Sequence, residues 1–297
     1  SVENLREINA NTWQMGVVYS GHVYLGRNGL MPNDPQVYDE VMAVAWLYGA
    51  QAQLVVKKDS GIDSLIDLEG KKVNVARIGS GAYVNCELLF NHLGIWDNID
   101  RYTMGYNDAA EAFGNGLIDA IWLFTTYPSG AVITAAMAND IDLLNIDAEA
   151  SYSGFYSLYP YFIKTTIPAN TYEGVTYGTP TYQDSTLWVA NSGLSSDIVY
   201  EMLSIIYTDE GLAHIKAQKR TFDNMAVSTG TDCIITPFHP GAERFWREKG
   251  FIFCHGDIDN DGDVDGIDAV NLNQGSASVT LEEFAENFGG DQCCSQL

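Results

Sequence analysis

Asp257, Asp259 and Asp261 are followed by Gly262, Asp263, Val264, Asp265 and Asp268, matching positions 1, 3, 5, 6, 7, 8, 9 and 12 of an EF-hand-type calcium loop. Calcium takes six to eight oxygens, and this spacing curls three carboxylates, the Asp263 carbonyl and a terminal carboxylate around one point. Gly262 permits the turn and Val264 faces inward. Without a cation these carboxylates repel one another. Asp268 stands where a longer glutamate is usual, which shortens the bidentate reach. The expected cofactor is therefore Ca2+, held by Asp257, Asp259, Asp261, Asp263, Asp265 and Asp268; the plainer alternative is a solvated acidic tail.

A second chemical signal is the turn Ile78-Gly79-Ser80-Gly81, which follows an apolar strand pattern and opens a helical one. Backbone N–H groups at such a turn, with the positive end of the helix behind them, hold a carboxylate or phosphate. No Gly-Lys-Ser/Thr follows, so it is not a Walker loop, and Val84 stands where a dinucleotide fingerprint needs its third glycine. Thr125-Thr126-Tyr127-Pro128 follows the apolar run Ala120–Phe124, at the equivalent end of another strand. Open α/β sheets bind ligands beyond the carboxyl ends of their strands, so both loops point at one crevice. Gly79, Ser80 and Gly81 with the hydroxyls of Ser80, Thr126 and Tyr127 are the expected ligand groups. A simple tight turn and a packed Tyr127 are the structural alternatives. Cys233 and His239 carry no third orienting group, and the histidines at 22, 92, 214, 239 and 255 lack metal-ligand spacing, so neither catalysis nor zinc is expected.

Composition narrows the partners. The 297 residues hold 15 Lys+Arg against 39 Asp+Glu, a net charge of −24 that repels nucleic-acid phosphates. Residues 255–297 contain 10 acidic residues and no lysine or arginine, so the last segment differs in kind from the rest. The longest apolar run, Val41–Ala50, is far shorter than the ~20 residues that cross a bilayer. Cys254 and the Cys293/Cys294 pair bracket the acidic tail and read as a staple in an oxidising compartment, while Cys86 reads as a buried structural thiol.

The elements that must position these groups alternate from the start. The pattern predicts a helix over 2–10, a strand over 14–19, a polar loop, a helix over 38–46 and a strand over 54–57. A helical turn at 62–68, a strand at 72–76 and a helix ending at Leu93 before the C-cap Gly94 follow. Helix 109–115, strand 120–124, helix 128–139 and strand 143–146 continue the alternation, the signature of a parallel sheet covered by helices. An aromatic-rich stretch at 152–162, strands over 172–189 and helices at 196–217 and 242–249 complete the body.

The ordered motifs Met15-Gly-Val-Val-Tyr-Ser20, Asp67-Leu-Glu-Gly-Lys-Lys-Val73, Gly79-Ser-Gly81, Gly116-Leu-Ile-Asp-Ala120, Tyr127-Pro-Ser-Gly-Ala131 and His239-Pro-Gly-Ala-Glu-Arg244 resemble the TAXI family of TRAP-transporter solute receptors over about residues 1–250. The resemblance implies an α/β, two-lobed periplasmic-binding-protein type II fold, with lobe I in 1–57 and again in 143–253, lobe II in 58–142 and a calcium-loop appendage in 254–297. Hinge strands near Val56 and Ile146 would join the lobes. It implies a monomeric, non-enzymatic, periplasmic receptor that traps glutamate or a related carboxylate and hands it to TRAP permease membrane subunits. The family's ligand site would fall on Tyr19 and Ser20 in lobe I, on Gly79, Ser80 and Gly81, and on Thr126 with Tyr127 opposite. Two positions depart from the family, which usually has Gln-Ser-Asp at 19–21 and Gly-Tyr-Pro at 126–128. Relative to the family, roughly fifty leading residues are expected upstream of Ser1. The tail loop resembles one dockerin-type repeat without its second copy. The competing reading is a calcium-dependent surface or scaffold-binding protein with a passive α/β body.

Overall fold

The computed structural model describes residues 2–251, Asn33 and Cys233 excepted. The Asp257–Asp268 loop and Cys254, Cys293 and Cys294 lie outside the described residues.

The chain opens with α1 (Val2–Asn9), β1 (Met15–Tyr19) and α2 (Ser20–Arg27), then the long β2 (Val41–Lys57). An alternating block follows: β3 (Lys72–Asn74), α3 (Gly81–His92), β4 (Asp100–Tyr102), α4 (Tyr106–Gly114), β5 (Ala120–Thr125), α5 (Gly130–Ala138) and β6 (Ile141–Leu143). Then come α6 (Ile146–Tyr152), α7 (Phe155–Leu158), β7 (Ile163–Ile167), β8 (Thr179–Asn191), α8 (Ser196–Ile206), α9 (Asp209–Gln218) and α10 (Pro240–Glu248). The α/β class expected from the sequence is the class observed.

The strands form one sheet of order β1-β8-β2-β5-β3-β4, with β6 also on β2 and β7 on β8. Strand β3 runs parallel to β4 and β5, whereas β2 is antiparallel to β5 and β8. The carboxyl ends of β3, β4 and β5 therefore lie along one edge, and each leads into a helix whose N-terminus faces that edge. In the second half of the sheet, one face buries Leu54, Val73, Trp122 and Phe90 of α3, and the other buries Ile121, Leu123, Phe113 of α4 and Val132 of α5. The first half has its own core, where Leu187, Val189 and Val44 pack on Leu5, Phe245 and Trp246. Cys86 is fully buried in the second half, and burial pushes its thiol pKa up, which suits a packing role.

Three local expectations are corrected. The segment Tyr38–Trp46 is no helix: from Val41 on it is the start of strand β2. Two register shifts explain the misreading: Ala43 and Ala45 face Val189 and Trp188, and Trp46 and Tyr48 face Leu187 and Thr186, leaving Val44 and Leu47 as extra residues. Each bulge resets the alternation, so no period of two survives in the sequence. The polar loop after Tyr19 contains α2, whose glycines hide its pattern; a Cβ on Gly26 would lie 2.8 Å from Leu5 and 3.0 Å from Tyr38. The strand expected over Leu143–Ile146 ends at Leu143, and Ile146 instead begins α6, so no hinge strand passes through it.

Candidate binding cleft

Tyr19, Thr186 and Tyr48 form a cross-strand row, because Thr186 of β8 pairs with Tyr19 of β1 on one side and with Tyr48 of β2 on the other. This row faces the carboxyl ends of β3 and β4. Between them lies a cavity of about 320 Å³ whose lining includes Arg77, Ser80, Gly81, Tyr106, Tyr48 and Thr186. A second cavity of about 570 Å³ is lined by Tyr48 again, with Gln51, Thr126, Tyr127, Gln183 and Arg220. Among the described residues, neither lining includes an aspartate or glutamate.

The expected turn is present and built from its own side chains. Gly79 has φ +81 and nothing within 4 Å of a Cβ placed on it, so glycine serves the left-handed backbone, not a close approach. Ser80 caps α3: its Oγ donates to the Arg77 carbonyl at 2.6 Å and accepts from the Tyr83 N–H at 3.2 Å. The Ser80 hydroxyl proton is thus spent inside the turn. The N–H groups of Gly81 and Ala82 have no acceptor among the described residues, and α3 has no acidic residue in its first turn. Ala76, just before, holds φ +69, a conformation that disfavours a side chain and aims Arg77 out of the strand.

Tyr19 closes the floor. Its ring lies where a Cβ on Gly81 would sit 2.5 Å away, and its hydroxyl donates to the Phe124 carbonyl at 3.1 Å. Tyr106 donates to that carbonyl too, at 3.1 Å, so two phenols from opposite halves of the sheet meet on the end of β5. Burial raises the pKa of both phenols, Tyr106 to about 12, which keeps them neutral donors. Beneath them Ser20 is buried at the start of α2 and His22 is fully buried, and neither the Ser20 Oγ nor either His22 ring nitrogen has a hydrogen-bond partner among the described residues. Asp184, also fully buried, accepts the Gly21 N–H at 3.2 and 3.1 Å, and burial raises its carboxyl pKa well above the usual range.

The residues singled out in the sequence thus divide. Tyr19, Ser80 and Gly81 line the smaller cavity, and Thr126 and Tyr127 line the larger one. Ser20 is buried next to Tyr19, and Gly79 stands exposed on the turn, outside both linings. Sequence reading missed Arg77, Tyr48, Tyr106, Thr186 and Arg220. Arg77 had a signal, a lone cation directly before a glycine turn; Tyr48 and Thr186 had none, since only strand register brings them together.

A family model described as the NMT1-like family matches residues 1–250. The chain belongs to the NMT1-like family. The structure of this NMT1-like chain is similar to that of the periplasmic aliphatic sulphonate binding protein of Escherichia coli, with a TM-score of 0.40 and 13% identity over 83% of this chain and 69% of that one. It is similar to the alkanesulfonate-binding protein of Xanthomonas axonopodis pv. citri bound to MOPS, with a TM-score of 0.39 and 15% identity over 83% and 70% of the two chains. A Xanthomonas citri protein bound to ATP gives a TM-score of 0.49 and 13% identity over 83% and 79%. No helix of the described residues in the NMT1-like chain is long and apolar enough to cross a membrane.

Proposed function

We propose that this chain is an extracytoplasmic solute receptor that holds a small organic anion, such as glutamate or a related carboxylate, in the 320 Å³ cavity and delivers it to the membrane subunits of a TRAP-type transporter. The observation that carries this reading is the convergence of Arg77 and the N-terminus of α3, which has no acidic residue in its first turn, on one cavity whose lining holds no carboxylate among the described residues. Arg77 enters no ion pair among the described residues. A carboxylate there accepts from the guanidinium fork and the open N–H groups of α3, while the Tyr48 and Thr186 hydroxyls approach from the other half of the sheet. Binding of this kind draws the two halves together and needs no reacting group. The TRAP assignment and the carboxylate class rest on the motif resemblance at 15–20, 67–73, 79–81 and 127–131.

Calorimetry with glutamate and related carboxylates tests the site. Arg77→Ala is expected to weaken binding by about tenfold or more, and Arg77→Lys by less, since a point charge replaces a two-pronged donor. Unchanged affinity in Arg77→Ala would sink the proposal. The tail is tested separately: the full chain is expected to take up Ca2+ and to lose that uptake in Asp261→Ala while keeping its anion affinity. Loss of a protein partner with anion binding intact would instead favour the calcium-dependent scaffold reading.

A further inference from the structure

The arginines of this chain can be accounted for one by one. Arg6, Arg101, Arg244 and Arg247 are in ion pairs with Asp34, Asp97, Asp197 and Glu243. Arg27 donates to the carbonyls of Asp39 and Val41. The remaining two, Arg77 and Arg220, have no side-chain partner among the described residues, and each lines one of the two cavities that share Tyr48. In a chain of net charge −24, the two arginines without a partner among the described residues each line a cavity, which calls for a ligand with charge at both places.

The second cavity repeats the logic of the first. Gly130, the first residue of α5, lines it; α5 has no acidic residue in its first turn, and its N-cap Ser129 makes no side-chain cap. The Ser129 N–H is taken by Tyr172 Oη at 2.9 Å, and Tyr172 donates in turn to Gln53 Oε1 at 2.5 Å, which fixes the loop behind the helix end. The N–H groups of Gly130 and Ala131 have no acceptor among the described residues. Gln51 Nε2 donates to Gln183 Oε1 at 2.7 Å, leaving the Gln183 amide NH2 on the wall with no acceptor among the described residues. Arg220 is held in place by its own short turn, where Phe222 packs on Tyr48 with ring centroids 5.8 Å apart.

Resting on the solute-receptor reading, we infer that the larger cavity is a second anion subsite and that the ligand is an elongated dianion, one end at Arg77 and α3, the other at Arg220 and α5. Tyr48 lies between the two ends and packs against the connecting chain. A monoanion fills the first subsite alone.

The test is calorimetry on the full chain with α,ω-dicarboxylates from malonate to suberate and with monocarboxylates of matching length. One dicarboxylate length is expected to bind at least tenfold tighter than its monocarboxylate. Arg220→Ala, at an exposed and unpartnered position, is expected to erase that advantage and leave monocarboxylate affinity unchanged. Gly130→Asp places a carboxylate at the α5 N-terminus, where a Cβ meets nothing within 4 Å, and it is expected to weaken the dicarboxylate about tenfold while helix and fold are kept. If Arg77→Ala weakens every anion but Arg220→Ala and Gly130→Asp change nothing, the dianion inference is overturned and the single-site receptor stands. If no carboxylate binds, or Arg77→Ala is without effect, both fall together.

Discussion

Replacing His22 by leucine is expected to flatten the acid side of the stability curve, gaining about 3 kcal/mol relative to the parent between pH 7 and pH 4. His22 is fully buried against the Tyr19 ring, with centroids 5.4 Å apart, and against Gly81. Desolvation holds its pKa at about 3, against 6.5 in the unfolded chain. Between those values the unfolded state binds a proton that the folded state refuses. Folding stability therefore falls as pH drops through 6.5 and keeps falling toward 3. Asp184 acts in the opposite sense: burial raises its pKa, the folded state keeps a proton that the unfolded carboxylate releases, and stability falls as pH rises above the ordinary carboxylate range. Asp184→Asn should thus stabilise the protein at neutral pH, since an amide oxygen still accepts the Gly21 N–H. Urea unfolding at pH 4, 5.5, 7 and 8 separates the two: parallel curves for the parent and His22→Leu would rule out the buried imidazole as the source.

These buried polar groups show where sequence legibility ends. The glycine turn at 79–81 and the apolar strand before Thr126 were readable because their chemistry is local: a positive φ needs glycine, and a buried strand needs an unbroken apolar run. The alternation from Lys72 to Leu143 was readable for the same reason, since each strand and helix keeps its own period. Gly21, by contrast, looks like a helix breaker, and only the structure gives it a reason. A Cβ there would lie 2.2 Å from the Tyr161 ring and 2.8 Å from the Asp184 carboxylate, partners some 140 residues or more along the chain. Arg220 is equally silent in sequence, because nothing local marks a cation that has no carboxylate partner among the described residues. The cleft was half legible: its turns are local features, while its opposite wall is made by register between distant strands.

The wall itself depends on the end of the body. Trp246→Ala is expected to destabilise the protein by about 3–5 kcal/mol, the range for emptying a large aromatic site in a packed core. Trp246 is fully buried between Tyr207 and Phe245, with centroids 4.7 and 4.9 Å away, and its Nε1–H donates to the Val44 carbonyl at 2.8 Å. Val44 is the extra residue of the first β2 bulge, so its carbonyl has left the ladder and needs this donor. The Tyr207 hydroxyl does the same for Trp46, next to the second bulge, at 3.3 Å. Without the second bulge, a one-residue slip would turn Tyr48 away from Thr186 and out of both cavities. Trp246→Phe keeps most of the volume but leaves the carbonyl unpaired, which costs about 1–3 kcal/mol. Urea unfolding ranks the three proteins, and calorimetry reads the second consequence: the phenylalanine variant should lose anion affinity beyond what its folded fraction explains. If affinity tracks the folded fraction alone, the bulges stabilise the strand without setting the position of Tyr48.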